Sequence, residues 1–365
     1  MNTRKVIAAG HICIDITPIF TSSQKYNYLD ELLVPGKLIH MGDADVHTGG
    51  SVANTGLALK FLGNDVTLMG KIGDDDFGKM VEQILARYGA SGLLTDKNSS
   101  TSYSVVIAVP GIDRIFLHNP GANDTFTGAD IPEEALDEVV LFHFGYPPLM
   151  RKMYQQDGKE LASIFRRMKE KNIATSLDFA AIDPNSEAGQ ADWMKILENV
   201  LPYVDFFVPS FEELLFMLNP ERYNELVAEG GDMTDGLDVE EDVAPLADKL
   251  LELGCKAVLI KCGITGMYFK SGPMDGVGER LELNQKIWQA KTYFQPCFKA
   301  DIVRSATGAG DTSIAAFLTA VLRGKAPEKA VALASAEGAC AVTSYDALGG
   351  LKQLEELEAR IEAGW

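Results

Sequence analysis

The chain has 365 residues, 46% of them hydrophobic and 23% charged, with no low-complexity tract, so it can bury a core as one large α/β domain or two ordinary ones. Its net charge of −19 argues against a nucleic-acid groove or an anionic membrane surface as partner, and any bound polyphosphate needs local help from backbone dipoles, a few cations or a metal. No stretch approaches the length of a membrane span, and Cys13, Cys255, Cys262, Cys297 and Cys340 show no CxxC pair or zinc spacing, which predicts reduced thiols in a cytoplasmic protein.

Residues 5–9 (KVIAA) read as a buried strand ending at Gly10, and HICIDI at 11–16 continues as an alternating run that carries Asp15. A carboxylate just past a strand-end glycine either faces solvent or accepts two hydroxyls of a polyol. Positions 20–48 are irregular, with a Pro35-Gly36 turn and strand-like pieces at 37–41 and 44–48. Gly49-Gly50-Ser51-Val52-Ala53-Asn54 then opens a helix whose Leu57, Ala58, Phe61 and Leu62 share a face and whose stop is Gly63-Asn64. The paired glycines allow a ligand close to the backbone, and Asn54 offers a donor and an acceptor one turn in. A tight βα turn with a local cap would look the same.

Residues 66–70 form another strand, and the acidic run 73–78 suits the start of a helix around 79–88. Pro110-Gly111-Ile112-Asp113 sits between two strand-like runs as a hairpin turn, and alternation puts Arg114, Phe116 and His118 on one face. Asn119-Pro120-Gly121-Ala122-Asn123 is a polar turn. From 139 the pattern becomes strand, helix, strand, helix, with strands at 139–145, 174–179, 205–210 and 257–263. Continuous apolar strands separated by helices predict a mainly parallel, doubly wound α/β sheet covered on both faces. The acidic stretch 229–242 reads as a solvated loop, and 326–344 and 351–363 as closing helices. No linker divides the chain, so 1–365 is taken as one domain. The irregular segments 12–48 and 101–120 are inserted as a small β-sheet lid.

The strongest local signal is Thr307-Gly308-Ala309-Gly310-Asp311. Small residues let backbone N–H groups converge, and the helix they open adds partial positive charge, so the turn is an anion site. Ile314, Phe317, Leu318, Val321 and Leu322 predict one buried helical face, ended by Gly324 and Pro327. Asp311 alone could be a first-turn helix cap.

The Gly49–Asn54 turn, the Thr307–Asp311 turn, and Lys261-Cys262-Gly263-Ile264-Thr265-Gly266 between them resemble, in order, the signatures of the ribokinase-like (PfkB) carbohydrate kinases. The resemblance spans essentially the whole chain. It implies transfer of the ATP γ-phosphate to a hydroxymethyl group of a sugar or similar alcohol. By that likeness Asp311 is the general base, and Gly308, Ala309 and Gly310 supply N–H groups to the moving phosphoryl. Asp15, Gly49, Gly50 and Asn54 hold the sugar, and Asn123 closes on it from the lid side. Lys261, Gly263, Gly266 and Thr307 border the nucleotide, with Ser344 and Gly349 near its base.

Two departures qualify the likeness. Ser305 and Ala306 stand where relatives often carry an acid and a threonine, which leaves dependence on a monovalent cation open. The family's magnesium-linked Asn-x-x-Glu appears as Ser210-Phe211-Glu212-Glu213, so Glu213 is expected to reach Mg²⁺ through water.

Physics supports the same chemistry independently, because phosphoryl transfer asks for alignment, charge stabilisation and a proton acceptor. The ligands that the resemblance implies are ATP, Mg²⁺ and a sugar, here expected to be neutral. A sugar acid is the variant that Arg114 would permit, and a nucleoside kinase or a non-catalytic sugar or nucleotide sensor are the alternatives. A dinucleotide-binding dehydrogenase is excluded because no GxGxxG follows the first strand. The sequence leaves the oligomeric state open, although lid strands with exposed edges commonly pair, which would give a homodimer.

Overall fold

A computed structural model describes residues 4–21, 28–109 and 115–365. The strands, in chain order, are β1 (Lys5–Gly10), β2 (Cys13–Pro18), β3 (Ala44–Gly49), β4 (Asp65–Met69), β5 (Lys71–Gly73), β6 (Leu94–Asp96) and β7 (Tyr103–Ile107). They continue with β8 (Ile115–Asn119), β9 (Val139–Gly145), β10 (Ala174–Asp178), β11 (Phe206–Phe207), β12 (Ala257–Cys262), β13 (Gly266–Ser271) and β14 (Thr292–Pro296). Eight of them form the main sheet in the order β14-β13-β12-β11-β10-β9-β1-β4. The six strands from β12 to β4 run parallel, while β13 and β14 add an antiparallel edge.

Apolar strand runs are buried on both faces, as the sequence predicts for a parallel sheet. Neighbouring residues point to opposite layers: Phe142, Phe207 and Ile260 join one core, while Leu141, Phe206 and Leu259 join the other. The helix Ala309–Leu322 departs from its predicted single face, because every residue from Asp311 to Leu322 is buried. It packs between the helices Ser51–Phe61 and Pro327–Ala341. Its Phe317 lies against Phe206, Phe269 and Trp288 of the second core. An amphipathic spacing shows the most apolar stripe and not how many neighbours a helix meets.

Other expectations are corrected in detail. Residues 37–41 form no strand, and the acidic stretch 229–242 includes a short helical turn at Val239–Val243. The edge strands β13 and β14 and the small β5-β6 pair were not predicted.

The predicted lid segments contain a separate four-stranded sheet, β3-β2-β7-β8. Two residues separate β1 from β2, so the lid leaves the main sheet directly above the end of β1. β1 continues to β4 on one side and has β9 on the other, so the winding direction reverses between β1 and β9. Crevices at such reversals, past the carboxyl ends of the strands, are where doubly wound sheets bind ligands.

Candidate active site

Register aligns a row of residues along the carboxyl edge of the sheet. Gly10 pairs with Gly145, Gly145 with Asp178, and Ser210 bridges to Lys261. A Cβ on Gly10, whose φ is +125°, would overlap the Gly145 backbone. That glycine lets the first two strand ends close together. A cavity of about 760 Å³ lies beyond this edge and reaches from the lid to the Thr307–Asp311 turn.

Asp311 lies on the wall of this cavity, as do Asp15 of the lid and Lys261 of the sheet edge. Its Oδ1 accepts from Thr55 Oγ1 (2.9 Å), and its Oδ2 accepts from Asn54 Nδ2 (3.1 Å) and Tyr146 OH (2.7 Å). Asn54 lines the cavity as predicted, but its amide donates to the carboxylate.

Beside Asp311, Gly308 adopts φ +74° at the helix start, and a Cβ there would overlap Ala347. The N–H of Ala309 closes a turn on Ala306 O (3.3 Å). It is thus not the open donor the sequence predicted, and Ala309 is absent from the cavity wall while Gly308, Gly310 and Thr307 are on it. Ser305 braces the turn, its Oγ donating to Thr307 Oγ1 (2.9 Å) and accepting from Thr307 N (3.1 Å).

Lys261 enters from the end of β12 and pairs with Asp178 (Nζ to Oδ1, 2.7 Å). Burial alone would lower this ammonium, but Asp178, Glu213 and Asp311 overcome it and hold Lys261 raised. Glu213 lines the cavity and also caps a helix: Ser210 N donates to its Oε2 (2.8 Å), and the Ser210 side chain completes a capping box. Ser-x-x-Glu therefore has a local reason to exist besides metal contact. Among the described residues no cluster of three metal-ligating side chains forms.

On the lid side, Asp15 receives the Cys13 thiol (3.2 Å), and a Cβ on Gly49 would run into its carboxylate. Burial raises the Asp15 carboxyl, while hydrogen bonds from Cys13 and Ser104 oppose the shift. A Cβ on Gly50, at φ +84°, would strike the His11 ring. His11 and His118 lie 5.1 Å apart in the wall, and burial lowers both, keeping them neutral. Phe116 and His118 share the cavity-facing side of β8 as alternation predicts. Arg114 lies outside the described residues.

Several predicted contacts are not on the wall. Asn123 is fully buried, its amide exchanging hydrogen bonds with Ile12 (3.1 and 2.9 Å) and donating to Pro120 O (3.0 Å). It fastens the start of the lid to the turn. Gly263 and Gly266, both at positive φ, shape the β12–β13 hairpin. Ser344 and Gly349 are tied to Asp346 in the loop that carries Ala347 against Gly308. Sequence reasoning missed Tyr146, His11, Thr55 and Asp178. The strand-end rule would have found Asp178 and Tyr146, since each closes or follows a parallel strand.

Comparison with known proteins identifies the family and the fold. The pattern of the pfkB family carbohydrate kinases matches residues 4–353. An uncharacterized sugar kinase of Archaeoglobus fulgidus is 25% identical over 81% of this chain and 98% of its own. Fructokinase-1 of Oryza sativa subsp. japonica is 26% identical over 83% and 84%. The crystal structure of fructokinase with bound ATP from Xylella fastidiosa superposes with a TM-score of 0.72 at 17% identity, covering 98% of both chains. With its two glycine turns and intervening lysine strand carried in family order on that fold, the chain belongs to the pfkB family of ATP-dependent carbohydrate kinases.

Proposed function

We propose that the chain transfers the γ-phosphoryl group of ATP to a hydroxymethyl group of a neutral sugar or related polyol, with Asp311 taking the hydroxyl proton. The observation that carries this reading is the convergence of Asp311, the Gly308–Gly310 turn and Lys261 on one cavity whose far wall holds Asp15. The substrate oxygen bonds to the γ-phosphorus as the bond to ADP breaks, and its proton passes to Asp311. The N–H groups of Gly308 and Gly310 and the Lys261 ammonium face the charge on the moving group. Mg²⁺ supplies counter-charge to the phosphates, and Glu213 would approach it through water. Lys261 and Thr307 serve the nucleotide, while Gly49 and Gly50 serve the sugar by leaving room for Asp15 and His11.

The charges on the lid side support a neutral acceptor. Asp15 and two neutral histidines line it, and Arg151 is held between Glu187 (3.0 Å) and Asp124 (3.8 Å). Among the described residues no unpaired cation lines the lid side of the cavity, which favours a neutral group there over a phosphate or carboxylate.

ADP release measured over neutral pentoses and hexoses, sugar acids, sugar phosphates and nucleosides tests the reading. Neutral sugars should give the highest kcat/KM, and Asp15→Ala should raise the sugar KM about 10–100-fold, the worth of a charged hydrogen bond. A sugar phosphate or sugar acid as best substrate would overturn it. The edge strand β8, where Leu117 is 53% exposed, favours a homodimer through the lid. Sedimentation as a monomer would refute that. Five free thiols, four of them buried, fit a reducing cytoplasm.

A further inference from the structure

Tyr146 is the first residue past the end of β9, and its backbone is left-handed (φ 65°, ψ 43°), an uncommon state for a bulky side chain. Its N–H donates to Asp178 O (3.2 Å), its ring stacks on His11 at 6.1 Å, and Pro147 and Pro148 follow it. This backbone aims the phenol at Asp311. Burial, then the charges of Asp311 and Asp178, push the Tyr146 hydroxyl well above its ordinary range, so it stays protonated and donates.

An ionised carboxylate offers about two acceptor positions on each oxygen. Asn54 Nδ2 and Tyr146 OH fill both positions on Asp311 Oδ2, whereas among the described residues Thr55 alone donates to Oδ1 and leaves its other position open. We propose that Tyr146 is a positioning residue that closes Oδ2 and directs the acceptor hydroxyl's proton to Oδ1. The proposal rests on Asp311 being the base. In the step, the hydroxyl proton goes to Oδ1 while its oxygen bonds to the γ-phosphorus. The bond from that phosphorus to the bridging oxygen breaks, and the electron pair leaves with ADP. Asp311 releases the proton to solvent afterwards.

Tyr146→Phe keeps the ring and reopens one position on Oδ2. The sugar-dependent kcat should fall about 10–100-fold, with KM for sugar and ATP changed by less than about twofold. Because the hydroxyl acts through Asp311, adding Tyr146→Phe to Asp311→Asn should lower kcat no further. Rates are compared at a temperature where circular dichroism shows every variant folded. Unchanged kinetics, a loss confined to the sugar KM, or an additive loss in the double variant overturns the proposal. Asp311→Asn alone separates the two readings. If it retains full turnover, the base assignment fails and the proposal with it. If it is crippled while Tyr146→Phe is normal, only the proposal fails.

Discussion

Lys261 Nζ lies 2.7 Å from Asp178 Oδ1 and faces the bare Cα of Gly310, where an added Cβ would stand 3.7 Å from it. The pair keeps a buried positive charge beside the anion turn of a chain whose net charge is −19. In the proposed reaction Asp178 would hold the ammonium in place for the phosphate.

Lys261→Met should therefore lower kcat by about 10²–10³, the range for removing one preorganised group that stabilises transition-state charge. It should also destabilise the fold, because Asp178 is left buried without its partner. The double variant Lys261→Met with Asp178→Asn should recover thermal stability but not turnover. Recovered turnover would take Lys261 out of the chemistry.

The two glycines of the anion turn should fail in different ways. Gly310→Val places bulk in front of Lys261, on the phosphate path of the proposed reaction, so kcat should drop while the protein stays folded. Gly308→Ala forces a left-handed backbone and an overlap with Ala347, and should cost about 1–3 kcal/mol of stability. Urea denaturation and steady-state kinetics on both variants decide this.

Glu213→Gln preserves the capping box, because glutamine can also accept from the Ser210 N–H, and removes only the charge. Stability should hardly change, while the Mg²⁺ concentration for half-maximal rate should rise. An unchanged Mg²⁺ requirement would leave Glu213 as a helix cap alone.

Glu337 is wholly buried, receives Lys352 N at 3.0 Å, and is raised by burial from 4.5 to about 8. The folded state thus binds this proton more tightly than the unfolded one. Its contribution to stability is full below pH 4.5, is lost progressively as pH rises toward about 8, and falls no further above. Glu337→Gln should stabilise the protein by roughly 2–4 kcal/mol at pH 8 and by little near pH 4.5. Equal gains from urea melts at both pH values would rule this out.

Much of the architecture was legible because it is written in spacing. The Gly49–Asn54 and Thr307–Asp311 turns each announce a helix start within a few residues, and the apolar runs at β9, β10 and β12 require cover on both faces. The lid segments were visible as β-rich interruptions of the βα rhythm. Asp311 and Asp15 were legible as acids beside glycine turns, a local property of the chain. Asn123 misled because a polar turn looks the same whether its amide faces a ligand or, as here, the backbone of Ile12.

The sequence by itself determined the two glycine turns and most of the parallel strands and helices, since those follow from side chains a few positions apart. Only the tertiary structure decided what those turns face. Tyr146 reaches Asp311 across 165 positions, and Lys261 reaches Asp178 across 83. Such contacts depend on strand order: β9, β10 and β12 end at one edge of the sheet, and the helix carrying Asp311 packs against the helix carrying Asn54 and Thr55. No periodicity within a strand encodes its neighbour, because adjacency is fixed by long-range packing and winding direction.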